Sequence, residues 1–404
     1  MQYDVVIIGS GPNGLSAGIY LAQKGLKALI VEASDSVGGG TRTAELTLEG
    51  FHHDVCSAVH PMGVLSPYFQ QLGLENHGLE WVYPKASVAH PLDGEAAVIL
   101  SKSVEETAQG LGMDAKKYQQ LMMPLANRID WLMEDSLKPL GMPKHPFFLA
   151  KFGLKAMLSA NTFAKLFFKE KRAKALFAGC AAHSVLPFDN YFTAALGLVF
   201  LACGHAIDWP VAKGGSQSIA DALLNCFLAA GGTIQYSKRI NHYKELPSAS
   251  AYLFDTDPLQ LANIAMDELP AAYTKRLRTY NYGMGTFKID YALSEAIPWK
   301  DKRCLAASTV HLGGTIEEIA AGEKAFWNGK YNEKPYVLLA QQSQFDKTRS
   351  PKGQHTCWAY CHVPNGSQRD MSEVIENQIE RFAPGFKAII FCLLYTSPSP
   401  RDRG

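Results

Sequence analysis

What the chain lacks narrows the field first. Neither sign of charge is in excess, with 39 Lys and Arg against 38 Asp and Glu in 404 residues. A chain balanced in this way sets up no field for an acidic polymer, and no nucleic-acid partner is expected. No apolar run reaches the roughly 20 residues of a membrane-spanning helix; the longest, such as Phe192–Cys203, fall well short. A fold-forming pattern begins at Tyr3, leaving no room ahead of it for a signal or transit peptide. The eight cysteines contain no Cys-x-x-Cys pair, which excludes the usual dithiol redox centre and the zinc ribbon. Cys357 and Cys361 suit small buried hydrophobes in a strand. Such spacing fits a reducing compartment, so a cytoplasmic protein, at most peripheral to a membrane, is expected. The Asn365-Gly-Ser367 sequon then reads as a turn. At 47% hydrophobic and 19% charged the chain is neither disordered nor a small disulfide scaffold, and its length allows two or three domains.

What is present begins at once. Tyr3-Asp-Val-Val-Ile-Ile8 is an apolar, β-branched run suited to the middle of a parallel sheet. Gly9-Ser-Gly11-Pro-Asn-Gly14 follows, then a helix over Leu15–Gln23 and a second strand, Lys27–Val31, ending at Glu32. Gly9 permits the tight turn, Gly11 a close approach of backbone to a pyrophosphate, and Gly14 close packing of helix on strand. The helix N-terminus offers unpaired N–H groups to phosphates. Glu32 can accept hydrogen bonds from ribose hydroxyls and disfavours a 2′-phosphate. A lone Gly-x-Gly-x-x-Gly is weak evidence, but the strand, turn, helix, strand and acid together predict a dinucleotide site. A second glycine cluster, Val37-Gly38-Gly39-Gly40-Thr41-Arg42-Thr43, lies just beyond the acid. A further flexible, cation-bearing loop suits a longer ligand, although glycine-rich surface loops also occur without one.

Here the sequence resembles the FAD-dependent oxidoreductases related to amine oxidases and phytoene desaturases, in which Glu, a Gly-Gly pair and a nearby Thr form an extended flavin signature. The resemblance implies FAD, with Glu32 on the adenosine ribose and Gly38, Gly39 and Thr43 near the pyrophosphate and ribityl chain. Many members carry Arg directly after the glycine pair; here Gly40 takes that place and Arg42 follows, which leaves the role of Arg42 open. The phytoene dehydrogenase-related branch is the most similar. The likeness rests on Asp54-Val-Cys-Ser-Ala-Val-His60-Pro61, Ala89-His90-Pro-Leu-Asp93, Gly214-Gly-Ser-Gln217 and Phe287-Lys288-Ile-Asp290. Further segments are Ile297-Pro-Trp299, Thr309-Val-His311-Leu-Gly-Gly314 and Trp358-Ala-Tyr-Cys-His362. It implies an α/β fold: a Rossmann-like FAD-binding domain of the glutathione reductase type with an interleaved α+β substrate domain. The expected division is 1–81 and 206–260 for the FAD-binding domain, 82–205 for a substrate and helical region, and 261–390 for the substrate domain. The backbone near Ile240 is expected against adenine.

The tail stands apart. Cys392-Leu-Leu-Tyr-Thr-Ser-Pro-Ser-Pro-Arg-Asp402 shows neither helical nor strand periodicity and matches, residue for residue, a translated sequencing adapter. Residues 391–404 are therefore expected to be non-native. The family's closing glycine-rich flavin segment is absent after Arg381-Phe-Ala-Pro-Gly-Phe386, as in a C-terminally truncated fragment.

Hydride transfer to a flavin needs no protein nucleophile, and Ser216 and Ser218 do not form a nucleophile elbow. His52-His53-Asp54 is too compact for a metal site, and no metal is expected. Lys288 is the one catalytic candidate: it resembles the amine-oxidase lysine that reaches flavin N5 through water, where a cation stabilises developing negative charge. A lysine at a strand edge is the plain alternative. His60, His311 and His362 are assigned no role. Lys151, Lys155, Lys165, Lys169, Lys171, Arg172 and Lys174 punctuate an apolar stretch, His145–Phe177. They form either a solvated helix face or a basic surface that meets anionic lipid. The expected function is dehydrogenation or isomerisation of an apolar small molecule. Amine oxidation is the enzymatic rival, and a non-catalytic flavin-binding protein the rival of another class.

Overall fold

The computed structural model describes residues 2–139 and 141–396. Two sheets carry the fold. The first is four-stranded and parallel, in the order β10-β1-β2-β9, from β1 (Tyr3–Ile8), β2 (Ala28–Val31), β9 (Thr233–Gln235) and β10 (Ala249–Phe254). The apolar runs of β1 and β2 are buried on both faces, as central parallel strands require. On one face the helices Pro12–Gln23 and Gln217–Ala229 pack through Leu15, Ile19, Leu223 and Phe227; on the other lie Ile240 and Ile264. Two of the four strands come from residues more than 200 positions after β1, and Val5 pairs with both Ala28 and Ala251.

The second sheet has seven strands in the order β15-β11-β14-β13-β12-β6-β7. These are β6 (Ala86–Leu92), β7 (Glu95–Leu100), β11 (Gly285–Leu293), β12 (Ala307–Leu312), β13 (Val337–Ala340), β14 (His355–Val363) and β15 (Ile390–Thr396). Only β6 and β12 pair in parallel. One face packs on the helix Ser372–Phe382. The other is roofed by a helical layer that includes Ala115–Ala126, Ala160–Phe167, Lys171–Ala181 and Thr193–Ile207. Two short antiparallel pairs complete the strands: β3 (Thr43–Glu45) with β4 (His52–Asp54), and β5 (Trp81–Val82) with β8 (Val211–Ala212).

β9 stops at Gln235, because Ser237 adopts φ 52° and turns the chain so that Lys238 N–H reaches the Glu32 carbonyl. Two local expectations change. The 82–205 segment is not helical throughout: its hairpin β6–β7 joins the second sheet, since β6 is buried on both faces and so shows no strand alternation. Cys392–Thr396, where no regular structure is expected, lies in β15. Backbone pairing to β11 needs no side-chain periodicity, and Phe391, Leu394 and Tyr395 are exposed. The rest of the tail, 397–404, lies outside the described residues.

Candidate dinucleotide site and the buried charges beside it

The glycine turn between β1 and its helix is built against β10. Asp255, just past the end of β10, accepts the Gly14 N–H at 2.8 Å. A Cβ on Gly14 would stand 2.3 Å from the Gly9 carbonyl oxygen, so the turn closes only without one. Gly11 caps the helix without a side-chain partner. Among the described residues, the Gly11 and Asn13 N–H groups donate to no protein acceptor.

The second glycine loop lies directly on the first. Gly38 N–H donates to the Ser10 carbonyl at 3.0 Å, and a Cβ on Gly39, whose φ is 51°, would stand 3.1 Å from Gly11 Cα. Arg42 Nε donates to the Gly39 carbonyl at 2.9 Å, which sets the guanidinium beside this joint; Nη1 and Nη2 bond to no described residue. Glu32 accepts from Ser10 N–H at 2.9 Å, from the Ser10 hydroxyl and from Ser34 N–H at 2.8 Å. It is half-buried at the β2 terminus and pinned in place with acceptor capacity left over. Ile240 is buried beneath the sheet with Val6, Ile8, Leu29 and Val31.

A bare cradle at the joint of two glycine loops, with free N–H groups and a free guanidinium edge, fits a pyrophosphate. The acid at the end of β2 fits a ribose. The residues present therefore fit a dinucleotide.

Thr43 fastens the second glycine loop to its surroundings. Its hydroxyl donates to Asp54 Oδ1 at 2.8 Å and accepts from Gln217 N–H at 3.0 Å, tying the loop to β4 and to the helix after Gly215. Asp54 also accepts Ser216 N–H at 2.7 Å and is paired with Arg349; both side chains are fully buried. Burial alone would raise the Asp54 carboxyl, but the Arg349 charge and the Ser216 and Thr43 hydrogen bonds outweigh it and hold it below the carboxylate range. Arg349 lies 3.8 Å from Asp346, which accepts Gly214 N–H at 2.8 Å. His60 Nε2 meets the Ser216 hydroxyl at 2.8 Å, and burial lowers its pKa to about 4.

Lys288 is buried on β11, where strand alternation puts it on the same face as Asp290. Its Nζ lies 2.5 Å from both Asp290 carboxylate oxygens and 5.5 Å from the Trp358 ring centroid. His53 Nδ1 is 3.6 Å from Asp290; burial, then the Lys288 and Arg349 charges, lower this histidine to about 3 and keep it neutral. Burial raises the Asp290 carboxyl against the pull of Lys288. β4 thus holds Asp54 on Thr43 of the second glycine loop and the adjacent His53 at 3.6 Å from Asp290, the partner of Lys288. Of the residues expected at the cofactor, Ile240 sits inside an apolar cluster, a few residues past the turn that meets Glu32.

Asp54, Asp255, Asp290, Asp346 and Arg349 carry this site, and sequence reasoning assigned none of them a role. Asp54 and Asp290 lie inside segments that carry the resemblance. Arg349 lies in no motif. No cluster of His, Cys, Asp or Glu able to hold a metal occurs among the described residues. Two surface clefts of the helical layer, about 220 and 390 Å³, share no residue with the site.

Fold and site together define a dinucleotide-binding protein of the Rossmann type, and the family described as NAD(P)-binding Rossmann-like domain matches residues 7–72. Along its whole length the chain is similar to pyridine nucleotide-disulfide oxidoreductase domain-containing protein 2 of Rattus norvegicus, 21% identical over 483 aligned positions that cover 100% of this chain and 82% of that protein. A stretch is 34% identical over 126 residues to a component of the limonene dehydrogenase of Castellaniella defragrans, covering 30% of this chain and 23% of that component. An oxidoreductase from Methanosarcina mazei superposes over 98% of this chain and 88% of its own, with a TM-score of 0.65 and 15% identity. Putrescine oxidase bound to putrescine gives 99%, 85%, 0.58 and 16%. RAB GDI from Plasmodium falciparum gives 98%, 90%, 0.57 and 12%. At these identities the structures share the fold: a Rossmann-like domain joined to a second, mixed sheet, as the sequence leads one to expect.

Proposed function

We propose that the chain is an FAD-dependent oxidoreductase that dehydrogenates or isomerises a largely apolar small molecule. The observation that carries this reading is the contact between the two glycine loops, Gly39 on Gly11, together with β4, which holds Asp54 on Thr43 and His53 beside Asp290, the partner of the buried Lys288. A single glycine turn serves any dinucleotide; the second loop with Arg42 extends the cradle for a longer one.

When bound, FAD supplies hydride acceptance, which no side chain here offers. The glycine loops and Arg42 hold the pyrophosphate, and Glu32 orients the ribose. Lys288 sets a buried cation where negative charge develops, and Asp290 fixes its position. The helical layer over the second sheet keeps water away. The sheet face beneath that layer carries Trp358, Tyr360 and His362, whose Trp358 Nε1 and His362 Nε2 have no hydrogen-bond partner. The rings of this face support an apolar substrate over a highly hydrogen-bonded one. The similarity of one segment to part of a limonene dehydrogenase supports the same class.

The test is anaerobic mixing of the flavin-loaded protein with terpene or polyene hydrocarbons and, separately, with primary amines. Loss of the flavin's visible absorbance on hydrocarbon is the expected result, and Lys288→Met should slow it on the order of 10²-fold. Bleaching by amines alone would move the assignment to amine oxidation, the chemistry that putrescine oxidase's name carries. The engagement of Lys288 by Asp290 favours a second reading, a flavin-binding protein without turnover; flavin that no donor reduces would establish it.

A further inference from the structure

The helix Pro146–Ala156 lies on the outside of the helical layer yet is apolar on two faces. Phe148, Leu149, Phe152 and Ala156 pack inward. Phe147, Ala150, Lys151, Leu154 and Met157 recur at helical spacing on the opposite side and face water. Phe147 is 91% exposed, Leu154 74% and Met157 51%. Phe192 N–H donates to the Met157 carbonyl at 3.2 Å, which brings Tyr191 (78% exposed) and Phe192 (61%) to the end of this stripe. Phe192 holds φ 66°, a conformation in which a bulky side chain is a genuine outlier. The fold thus accepts backbone strain at an aromatic that it leaves in water. Apolar area of this extent on one surface marks an interaction site.

The charge around it selects the partner. Between Asp135 and Glu170 the chain holds six lysines and no Asp or Glu, although the whole chain is balanced. Lys138 and Lys144 are paired with Asp135 and Glu134. Lys151, Lys155, Lys165 and Lys169 have no carboxylate partner among the described residues. Asp189, the acid adjoining this end of the layer, is engaged by Asn161 and Lys324. Lys155 Nζ reaches back to the Lys151 carbonyl, so two cations share one turn of the stripe. Burial and then the Lys151 charge depress the Lys155 ammonium, a repulsion that an anion nearby would relieve. No helix among the described residues is long and apolar enough to cross a membrane.

We infer that the face made by Phe147, Lys151, Leu154, Lys155, Met157 and Phe192 docks on the surface of an anionic lipid bilayer, its rings and aliphatic chains among the acyl tails and its lysines at the head groups. This does not depend on the redox reading. Exposed apolar groups at the centre of a cationic patch match an interfacial anchor that needs both acyl burial and head-group attraction.

The test is co-sedimentation of the full chain with vesicles of phosphatidylcholine alone and of phosphatidylcholine with phosphatidylglycerol. Binding to the anionic vesicles, weakened by salt, is expected. Lys151→Gln with Lys155→Gln should lower the partition about tenfold or more. Phe147→Ser with Leu154→Ser should abolish it with an unchanged melting temperature, since both side chains lie outside the core. Wild-type protein left in the supernatant at low salt would overturn the proposal, as would a Ser variant that sediments like the wild type. A dimer seen by light scattering, dissolved by the same Ser variant and without vesicle binding, would assign the face to a second copy and equally overturn it.

Discussion

Arg349 reaches Asp54 across 295 positions of sequence, and the pair is buried without water access in either side chain. Asp54 in turn holds Thr43 and Ser216, so the guanidinium neutralises the one carboxylate that ties the second glycine loop to the helix Gln217–Ala229. Removing one partner of such a pair leaves a buried charge and costs about 3–5 kcal/mol. Arg349→Met should therefore lower unfolding stability by that order in a urea melt, and Arg349→Met with Asp54→Leu should recover part of it. A loss below about 1 kcal/mol for the single variant would mean that the pair is hydrated in solution. The residue scale also shows what a sequence can reveal. Gly9, Gly11, Gly14 and Glu32 announce themselves because their spacing within one strand–turn–helix–strand unit is fixed by the backbone. Arg349, Asp255 and Asp290 do not, because their partners are set by how distant strands pair, and an isolated arginine or aspartate has no pattern of its own.

The strands and helices that build the site also bury most of its histidines. β4 holds His53, lowered to about 3, and β6 holds His90, lowered to about 4; His311 on β12 lies well below its ordinary value. His60, lowered to about 4, precedes a short turn, and His183, about 3, and His205, about 4, belong to the helical layer. Burial is the largest cause in each. A depressed histidine is neutral when folded, so its stabilisation is complete above the unfolded value of about 6.5 and is lost as pH falls toward the folded value. Raised carboxyls at Asp208, Asp290 and Glu376 act in the opposite sense, from the carboxylate range upward. With these six histidines and His355, likewise lowered by burial, against three carboxyls, the melting temperature should fall steadily as pH drops from about 7 to about 5. A flat profile there would show these histidines to be solvated. Elements were legible in the sequence where burial matched a simple pattern, as in β1, β2 and the helix between them. The end of β9 was not, since Ser237 turns the chain by backbone conformation alone. β6 was not, because a strand buried on both faces resembles a buried helix segment.

At the scale of the whole molecule, the first sheet is closed by β9 and β10, which arrive after the chain has built β6, β7 and the helical layer. That order places the Lys288-bearing sheet beside the glycine loops, and β4, from the first segment, carries both Asp54 toward Arg349 and His53 toward Asp290. The class of fold was readable because the fingerprint implies a parallel sheet. The interleaving was readable only by resemblance, since nothing local in β10 says that it pairs with β1. Whether the two abutting glycine loops form one cradle for FAD is tested most directly by fluorescence titration with FAD and with NAD⁺. Wild type and Gly39→Val are compared, with circular dichroism as a check on folding. At φ 51° and with its Cβ 3.1 Å from Gly11 Cα, a branched side chain at position 39 fills the joint without replacing any residue of the first glycine turn or Glu32. The expected result is tighter binding of FAD than of NAD⁺ by the wild type and at least a tenfold loss of FAD affinity in the folded variant. Tighter binding of NAD⁺, or FAD bound equally well by Gly39→Val, would contradict a shared cradle.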